Sequence, residues 1–154
     1  YLSLSGPLRI GPAGLGTVGA ETARLLTTRA AELSLRAGRE LQLTAVSARD
    51  KSKNRGLELG NASWIDDPVS LARDPRVDLF VEAIGGEGDP ARAAVAAALS
   101  AGKRVVTANK ALIANHGVAL ARSISKRRRR AAFRSSRRCA RVWQRTESAA
   151  STAS

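Results

Sequence analysis

The chain has 154 residues, of which 44% are hydrophobic, 25% charged and 3% aromatic. This length suits one domain of roughly 100–200 residues, and a single cysteine, Cys139, excludes a disulfide framework and a cysteine-based zinc site. We therefore expect a reduced, cytoplasmic setting and no metal site. No apolar run reaches the ~18–20 residues of a membrane span, and the first ten residues lack the regions of a secretory signal, so no membrane partner is expected.

The net charge of +13 is concentrated at the carboxyl end of the chain. Residues 1–122 carry 16 basic and 12 acidic side chains, whereas residues 123–154 carry 10 basic side chains and one acidic one. The basic end has no sustained apolar periodicity and cannot offset its ordering entropy, which predicts a disordered tail. A nucleic-acid-binding module that uses this tail is an alternative function. Because such charge runs are more often solvated tails, we expect no specific nucleic-acid partner.

Strand and helix patterns alternate along the first 124 residues. In the first half we predict, in chain order, a strand over 8–14, a helix over 14–36, a strand over 40–47 and a loop over 49–60. A short helix from 67, a strand over 77–84, a helix over 89–99 and a strand over 103–108 follow. The last predicted element is a helix over 109–124 with an interruption at 115–117. This order predicts an α/β fold, a doubly wound, mostly parallel, Rossmann-like sheet with helices on both faces. The predicted regions are an extension over 1–7, the Rossmann-like domain over 8–122 and the basic tail over 123–154.

A glycine-rich motif, GLGTVG, links the first predicted strand to the first predicted helix. Gly14 permits a tight turn, Gly16 leaves room for a pyrophosphate against the backbone, and Gly19 allows the helix to pack closely on the strand. The start of the helix offers free N–H groups to the phosphates. The sequence therefore predicts a dinucleotide site formed by Gly14, Leu15, Gly16, Thr17, Val18 and Gly19.

The end of the second strand indicates which dinucleotide is preferred. An NAD site usually carries an acidic residue there, but Arg49 occupies the tip here, with Lys51, Lys53 and Arg55 close behind. An arginine there can pair with a 2′-phosphate. We predict NADP as the preferred cofactor, with NAD as the alternative, since Asp50 could still accept a ribose hydroxyl.

Taken in order, these segments resemble the amino-terminal domain of homoserine dehydrogenase over about residues 8–122. The resembling stretches are LRIGPAGLGTVG, AVSARDKSKNRG, WIDDPVSLARDP, VDLFVEAIGG and GKRVVTANKALIANHG. The resemblance implies an NADP-dependent oxidoreductase that interconverts L-homoserine and L-aspartate 4-semialdehyde, both small molecules, in amino-acid biosynthesis. Another Rossmann-type reductase is the alternative that the VTANKALIA stretch argues against.

The resemblance also implies roles for residues beyond the glycine motif. Lys110 is the expected catalytic lysine of this domain and is expected, with Thr107, beside the nicotinamide, whereas Gly85 is an expected cofactor-binding residue at the family's strand end. Glu82 matches the family's strand end, and it is equally well interpreted as a structural hydrogen-bond acceptor. His116, the single histidine, is expected on a surface turn.

Two features depart from the family pattern. Pro12 lies within the first strand, where it cannot donate a ladder hydrogen bond, so we expect lower stability and a displaced Gly14. After about Ser123 the family continues into a substrate and dimerisation domain that is not visible here, so we expect little catalysis from this chain alone and homo-oligomers only of the intact enzyme. Codons for Phe133–Arg138, read one nucleotide further on, can encode Phe-Glu-Ala-Ala-Val-Ala, which is like the family's continuation. We therefore expect the tail to be a frame-shifted continuation.

Overall fold

Six strands and five helices follow one another in residues 6–53 and 55–124, the part of the chain that the computed structural model describes. They are β1 (Leu8–Ala13), α1 (Thr17–Thr28), α2 (Ala30–Ala37), β2 (Leu41–Leu43), β3 (Ala45–Val46), β4 (Ser63–Trp64), α3 (Pro68–Arg73), β5 (Leu79–Glu82), α4 (Ala91–Ala101), β6 (Arg104–Thr107) and α5 (110–124). Residues 125–154 of the predicted basic tail lie outside the described residues. The predictions that concern them, a nucleic-acid-binding role and a frame shift, therefore stay predictions.

The strands form a parallel sheet in the order β2-β1-β5-β6, and β3 pairs in parallel with β4. This arrangement confirms the predicted doubly wound, Rossmann-like fold. Alternate residues of β5 separate the core into two clusters: Phe80 packs with α3 and α4, whereas Leu79 and Val81 pack with the cluster of α1. Because alternate strand residues face opposite sides, helices cover both faces of the sheet. All four carboxyl ends therefore meet at one edge.

Pro12 is accommodated by a bulge in the neighbouring strand. Thr44 N–H donates to Ile10 O (3.0 Å), and Ser47 N–H donates to Pro12 O (3.0 Å). The neighbouring strand therefore advances by three residues where β1 advances by two. The Thr44 carbonyl, which a regular ladder would pair with an N–H at position 12, instead accepts from Ser63 N (3.0 Å). A bulge is one of the few places where a sheet tolerates proline. The expected displacement of Gly14 is wrong, because Gly14 N–H donates to Ser47 O at 2.7 Å.

The first predicted helix is in fact two helices. The hydroxyls of Thr27 and Thr28 donate back to the carbonyls of Ala23 (3.2 Å) and Arg24 (2.8 Å), a competition that weakens helical hydrogen bonding. Arg29 then leaves the helical conformation at φ −120°, ψ 25° and separates α1 from α2. The pattern of apolar spacing is continuous across this break, so periodicity alone does not reveal it.

The last described helix continues where an interruption was predicted. Residues 110–124 are helical throughout, so His116 lies within α5 and not on a surface turn. Leu112 and Leu120, both buried, anchor the two ends of this helix to the core. Gly117 lies between these anchors, and the ~1 kcal/mol that an interior glycine costs does not break the helix.

Three other helix ends carry local capping residues. The Asp67 carboxylate accepts from Val69 N (3.3 Å) and Ser70 N (2.7 Å) at the start of α3, with Pro68 at its first position. Gly38 and Gly102 end α2 and α4 in the left-handed conformation, at φ 68° and 79°. No helix among the described residues is long and apolar enough to cross a membrane.

Candidate functional site

The turn after β1 depends on glycine at its first position. Gly14 adopts φ +89°, and a Cβ there would lie 2.5 Å from the carbonyl carbon and oxygen of Ala83. The backbone is this close because Ala83 N–H donates to Ala13 O at 2.8 Å, across β1 and β5. A side chain at position 14 would therefore collide with the main chain of the neighbouring strand.

The other two glycines of the motif differ from each other in what surrounds them. A Cβ at Gly19 would lie 1.6 Å from Gly14 O, so the close approach of α1 to the turn requires glycine at position 19. Gly16, by contrast, has no atom within 4 Å of its virtual Cβ. These positions match the predicted requirements: close packing at Gly19 and open space for a ligand at Gly16.

The first turn of α1 faces this open space with backbone groups. Gly16 is the N-cap residue and supplies no side-chain cap, and the first turn carries no acidic residue. Thr17 and Val18 are exposed. The first N–H groups of a helix lack intrahelical partners and carry partial positive charge, so this helix start suits an anionic group.

A cleft of about 680 Å³ opens at the carboxyl edge of the sheet, beside the glycine turn. Residues that follow β1, β3 and β5 line most of it, together with three residues near the starts of α3 and α4: Gly14, Leu15, Gly16, Ser47, Ala48, Arg49, Asp50, Lys53, Arg55, Asp66, Pro68, Ala83, Ile84 and Pro90. The structure therefore brings Gly14, Leu15 and Gly16 together with Arg49, as predicted. Sequence reasoning assigned no cofactor role to Asp66, Pro68 and Pro90, which lie near the starts of α3 and α4.

Basic side chains predominate in the part of the cleft wall that follows β3. Arg49 is exposed and makes no ion pair with any described residue. Arg55 is fixed, since its Nε donates to Leu15 O (3.1 Å) and its guanidinium lies 5.9 Å from the Trp64 ring centroid. Asp50 is engaged within its own loop: its carboxylate accepts from Ser52 Oγ (2.7 Å) and N (2.9 Å), which lowers the pKa of Asp50.

The remaining predicted residues lie at the ends of β5 and β6. Glu82, fully buried, accepts hydrogen bonds from Ile84 N (2.8 Å), Gly85 N (3.2 Å) and the Thr107 hydroxyl. Lys110 is exposed at the first turn of α5. Gly85, Thr107 and Lys110 thus share the carboxyl edge of the sheet with the glycine turn but do not line the 680 Å³ cleft.

A larger cleft, of about 800 Å³, lies at the opposite edge of the sheet. Arg9, Asp78, Lys103 and Arg104, at or beside the amino ends of β1, β5 and β6, line part of it. Arg9 and Asp78 pair with each other (2.8 Å), and Lys103 Nζ donates to the carbonyls of Asp74 and Val77. Because open α/β sheets bind ligands outside the carboxyl ends of their strands, we assign the candidate site to the smaller cleft.

A sequence model described as "Homoserine dehydrogenase, NAD binding domain" matches residues 14–134, which is more than half of the chain. The chain belongs to the homoserine dehydrogenase family. Homoserine dehydrogenase of Methylobacillus glycogenes is 43% identical over 108 residues, which cover 70% of this chain and 26% of that protein. The homoserine dehydrogenase of Neisseria gonorrhoeae is 41% identical over 111 residues, covering 72% of this chain and 25% of the relative.

Solved structures of homoserine dehydrogenases share the fold. That from Thiobacillus denitrificans superimposes with a TM-score of 0.70 at 38% identity and covers 79% of this chain and 28% of that one. That from Staphylococcus aureus at pH 7.5 gives 0.68 at 29% identity and covers 79% of this chain and 31% of that one. The chain thus spans about a quarter of the length of the curated homoserine dehydrogenases it matches.

Family membership confirms the predicted resemblance and indicates a nicotinamide dinucleotide as the cofactor class. The residues present fit such a cofactor, because the open backbone at Gly16 borders a cleft large enough for an extended ligand, with cationic side chains at its far wall. The assignment of individual residues to the cofactor, and the domain boundary at 122, stay predictions.

Proposed function

We propose that this chain forms the cofactor-binding part of an NADP-dependent homoserine dehydrogenase, which interconverts L-homoserine and L-aspartate 4-semialdehyde. The observation that carries this proposal is the open space at Gly16, where the start of α1 faces a cleft that Arg49 also lines. In this proposal the backbone of 14–19 binds the pyrophosphate, and a bound nicotinamide supplies or accepts a hydride.

Charge in the cleft favours NADP over NAD. A 2′-phosphate needs cations at the end of the second strand, and Arg49 and Lys53 line the cleft there without ion-pair partners among the described residues. A ribose diol needs a carboxylate, and the one nearby, that of Asp50, is held within its own loop by two hydrogen bonds from Ser52 to Oδ1 and is outnumbered by these cations. The cleft is therefore better suited to an additional phosphate than to a bare 2′-hydroxyl.

Lys110 is proposed as the catalytic lysine of this part of the enzyme. It occupies the first turn of α5, where the partial positive charge of a helix start disfavours a cation by about 0.3–1 kcal/mol. A lysine at a place that is unfavourable for stability supports a chemical role. Its ammonium, near a substrate carbonyl, would stabilise negative charge on the oxygen or exchange a proton with it.

Fluorescence titration of the 154-residue chain with NADPH and NADH tests the cofactor assignment. We expect NADPH to bind more tightly and Arg49→Asp to reverse this preference. Lys51→Asp is the matched control, because Lys51 belongs to the same exposed loop but does not line the cleft, so this change should leave the preference intact. Equal affinities in the parent chain would contradict the role of Arg49, and no binding of either nucleotide would contradict the proposed function.

The proposed substrates are small molecules, and self-association of the longer enzyme and a cytoplasmic location remain predictions. The family match favours a homoserine dehydrogenase over another Rossmann-type reductase.

A further inference from the structure

A buried carboxylate joins two loops at the carboxyl edge of the sheet. The Glu82 side chain is 0% exposed, at the last residue of β5. It accepts from two backbone N–H groups of the loop that follows its own strand, those of Ile84 (2.8 Å) and Gly85 (3.2 Å). It also accepts from the hydroxyl of Thr107, the last residue of β6. A buried charge is costly without such partners, and here its donors come from two different segments.

The same connection continues from Thr107 into the start of α5. Asn109 N–H donates to Thr107 Oγ1 (3.0 Å). The Asn109 side chain then works in two directions, since its Oδ1 accepts from Leu112 N (3.0 Å) as a helix cap, and its Nδ2 donates to the carbonyl of Gly86. Only a side chain with both an acceptor and a donor can make these two contacts.

The network fixes the conformation of an exposed loop, that of Gly85 and Gly86. Gly85 and Gly86 adopt φ +82° and +77°, and neither has an atom within 4 Å of its virtual Cβ. Left-handed backbone with empty space around it forms a surface that a flat ring can approach closely. Lys110 follows Asn109 directly, so the network fixes this loop relative to the lysine.

We propose that Glu82 and Asn109 are positioning residues that set the backbone of Gly85 and Gly86, together with Lys110, as a preformed surface for the nicotinamide half of the cofactor. This inference rests on the proposed function, because it needs a dinucleotide in the adjacent cleft. It predicts that the network contributes to binding of the nicotinamide half and not to binding of the adenosine half, which lies towards Arg49.

Two ligands separate these halves: NADPH, which carries the nicotinamide, and adenosine 2′,5′-bisphosphate, which lacks it. In Glu82→Gln an amide nitrogen replaces one acceptor oxygen and meets a donor. We expect this change to weaken NADPH binding about tenfold and to leave binding of the bisphosphate within twofold. Glu40→Gln, at an exposed carboxylate before β2 at the opposite edge, is the matched control and should change neither affinity.

Asn109→Asp provides a second variant that keeps the cap of α5. An aspartate still caps α5 by accepting from Leu112 N–H, but it cannot donate to the Gly86 carbonyl. We expect a lower melting temperature, because a carboxylate oxygen then faces the Gly86 carbonyl oxygen, together with the same selective loss of NADPH affinity in the folded protein. This variant decides the question if Glu82→Gln does not fold. Equal weakening of both ligands, or of neither, would overturn the positioning role and leave the proposed function standing. A parent chain that binds neither ligand would instead overturn the proposed function.

Discussion

Replacing Gly16 with alanine should abolish tight dinucleotide binding while the protein stays folded. The virtual Cβ of Gly16 meets no atom within 4 Å, and its backbone conformation, φ −74° and ψ −160°, is open to any residue. Alanine is a poorer N-cap than glycine, so we expect a loss of no more than about 1 kcal/mol in the free energy of unfolding. The added methyl group projects into the space that the pyrophosphate would occupy.

The binding loss follows from the hydrogen bonds that the phosphates would no longer make. A hydrogen bond to a charged group contributes about 2 kcal/mol, so losing one of them corresponds to a roughly 30-fold weaker affinity. Fluorescence titration with NADPH, alongside thermal unfolding of the same samples, measures both quantities. An unchanged NADPH affinity in folded Gly16→Ala protein would refute the placement of the pyrophosphate.

Gly19→Ala is the contrasting variant, because its methyl group meets the protein itself. The virtual Cβ lies 1.6 Å from Gly14 O, so α1 must retreat by about 1.4 Å to reach the 3.0 Å of the closest real Cβ contacts. Such overpacking costs about 3 kcal/mol, which corresponds to a fall of about 10 °C in melting temperature. A stability equal to that of Gly16→Ala would show that α1 does not approach the turn this closely.

Three further changes test the scaffold. Asp78 accepts two hydrogen bonds from the Arg9 guanidinium (2.8 and 2.9 Å), which lowers the pKa of Asp78, so Asp78→Asn should cost roughly 1 kcal/mol at neutral pH. The difference in the free energy of unfolding between parent and variant is present above the ordinary aspartate pKa of about 3.9 and should vanish as the pH falls through the lowered pKa. Urea unfolding that shows a constant difference from about pH 7 to pH 3 would contradict the pairing. Asp67→Ala removes the cap of α3 and should cost about 1 kcal/mol in the same assay, whereas an unchanged midpoint would argue against the cap. Phe80→Ala empties a fully buried position between β5 and the α3–α4 layer and should cost about 3–5 kcal/mol; a loss below 1 kcal/mol would mean that this core is not packed as described.

Local signals in the sequence predict the elements that depend on local physics. Asp67 and Pro68 start one helix and Gly38 ends another through contacts with their nearest neighbours. The order of strands and helices likewise leads to the parallel sheet, because parallel neighbours need crossover helices. Gly14 and Gly19 of the glycine motif likewise meet steric requirements of the turn in which they lie.

Non-local contacts explain what the sequence does not predict. The bulge opposite Pro12 depends on Ser63, which lies 51 residues further along the chain. The Ser63 N–H donates to the Thr44 carbonyl. The connection from Glu82 to Thr107 likewise depends on the pairing of β5 with β6. No spacing rule within one segment indicates either contact, since each arises only when the strands are assembled.

The most direct test follows the backbone amides of isotope-labelled protein by NMR as NADP⁺ is added. The account predicts that the largest shifts occur at Gly16, Thr17, Val18 and Gly19, with smaller ones near Arg49 and Gly85. Shifts that cluster instead around the larger, arginine-lined cleft at the amino edge of the sheet, beside Arg39 and Arg104, would contradict it.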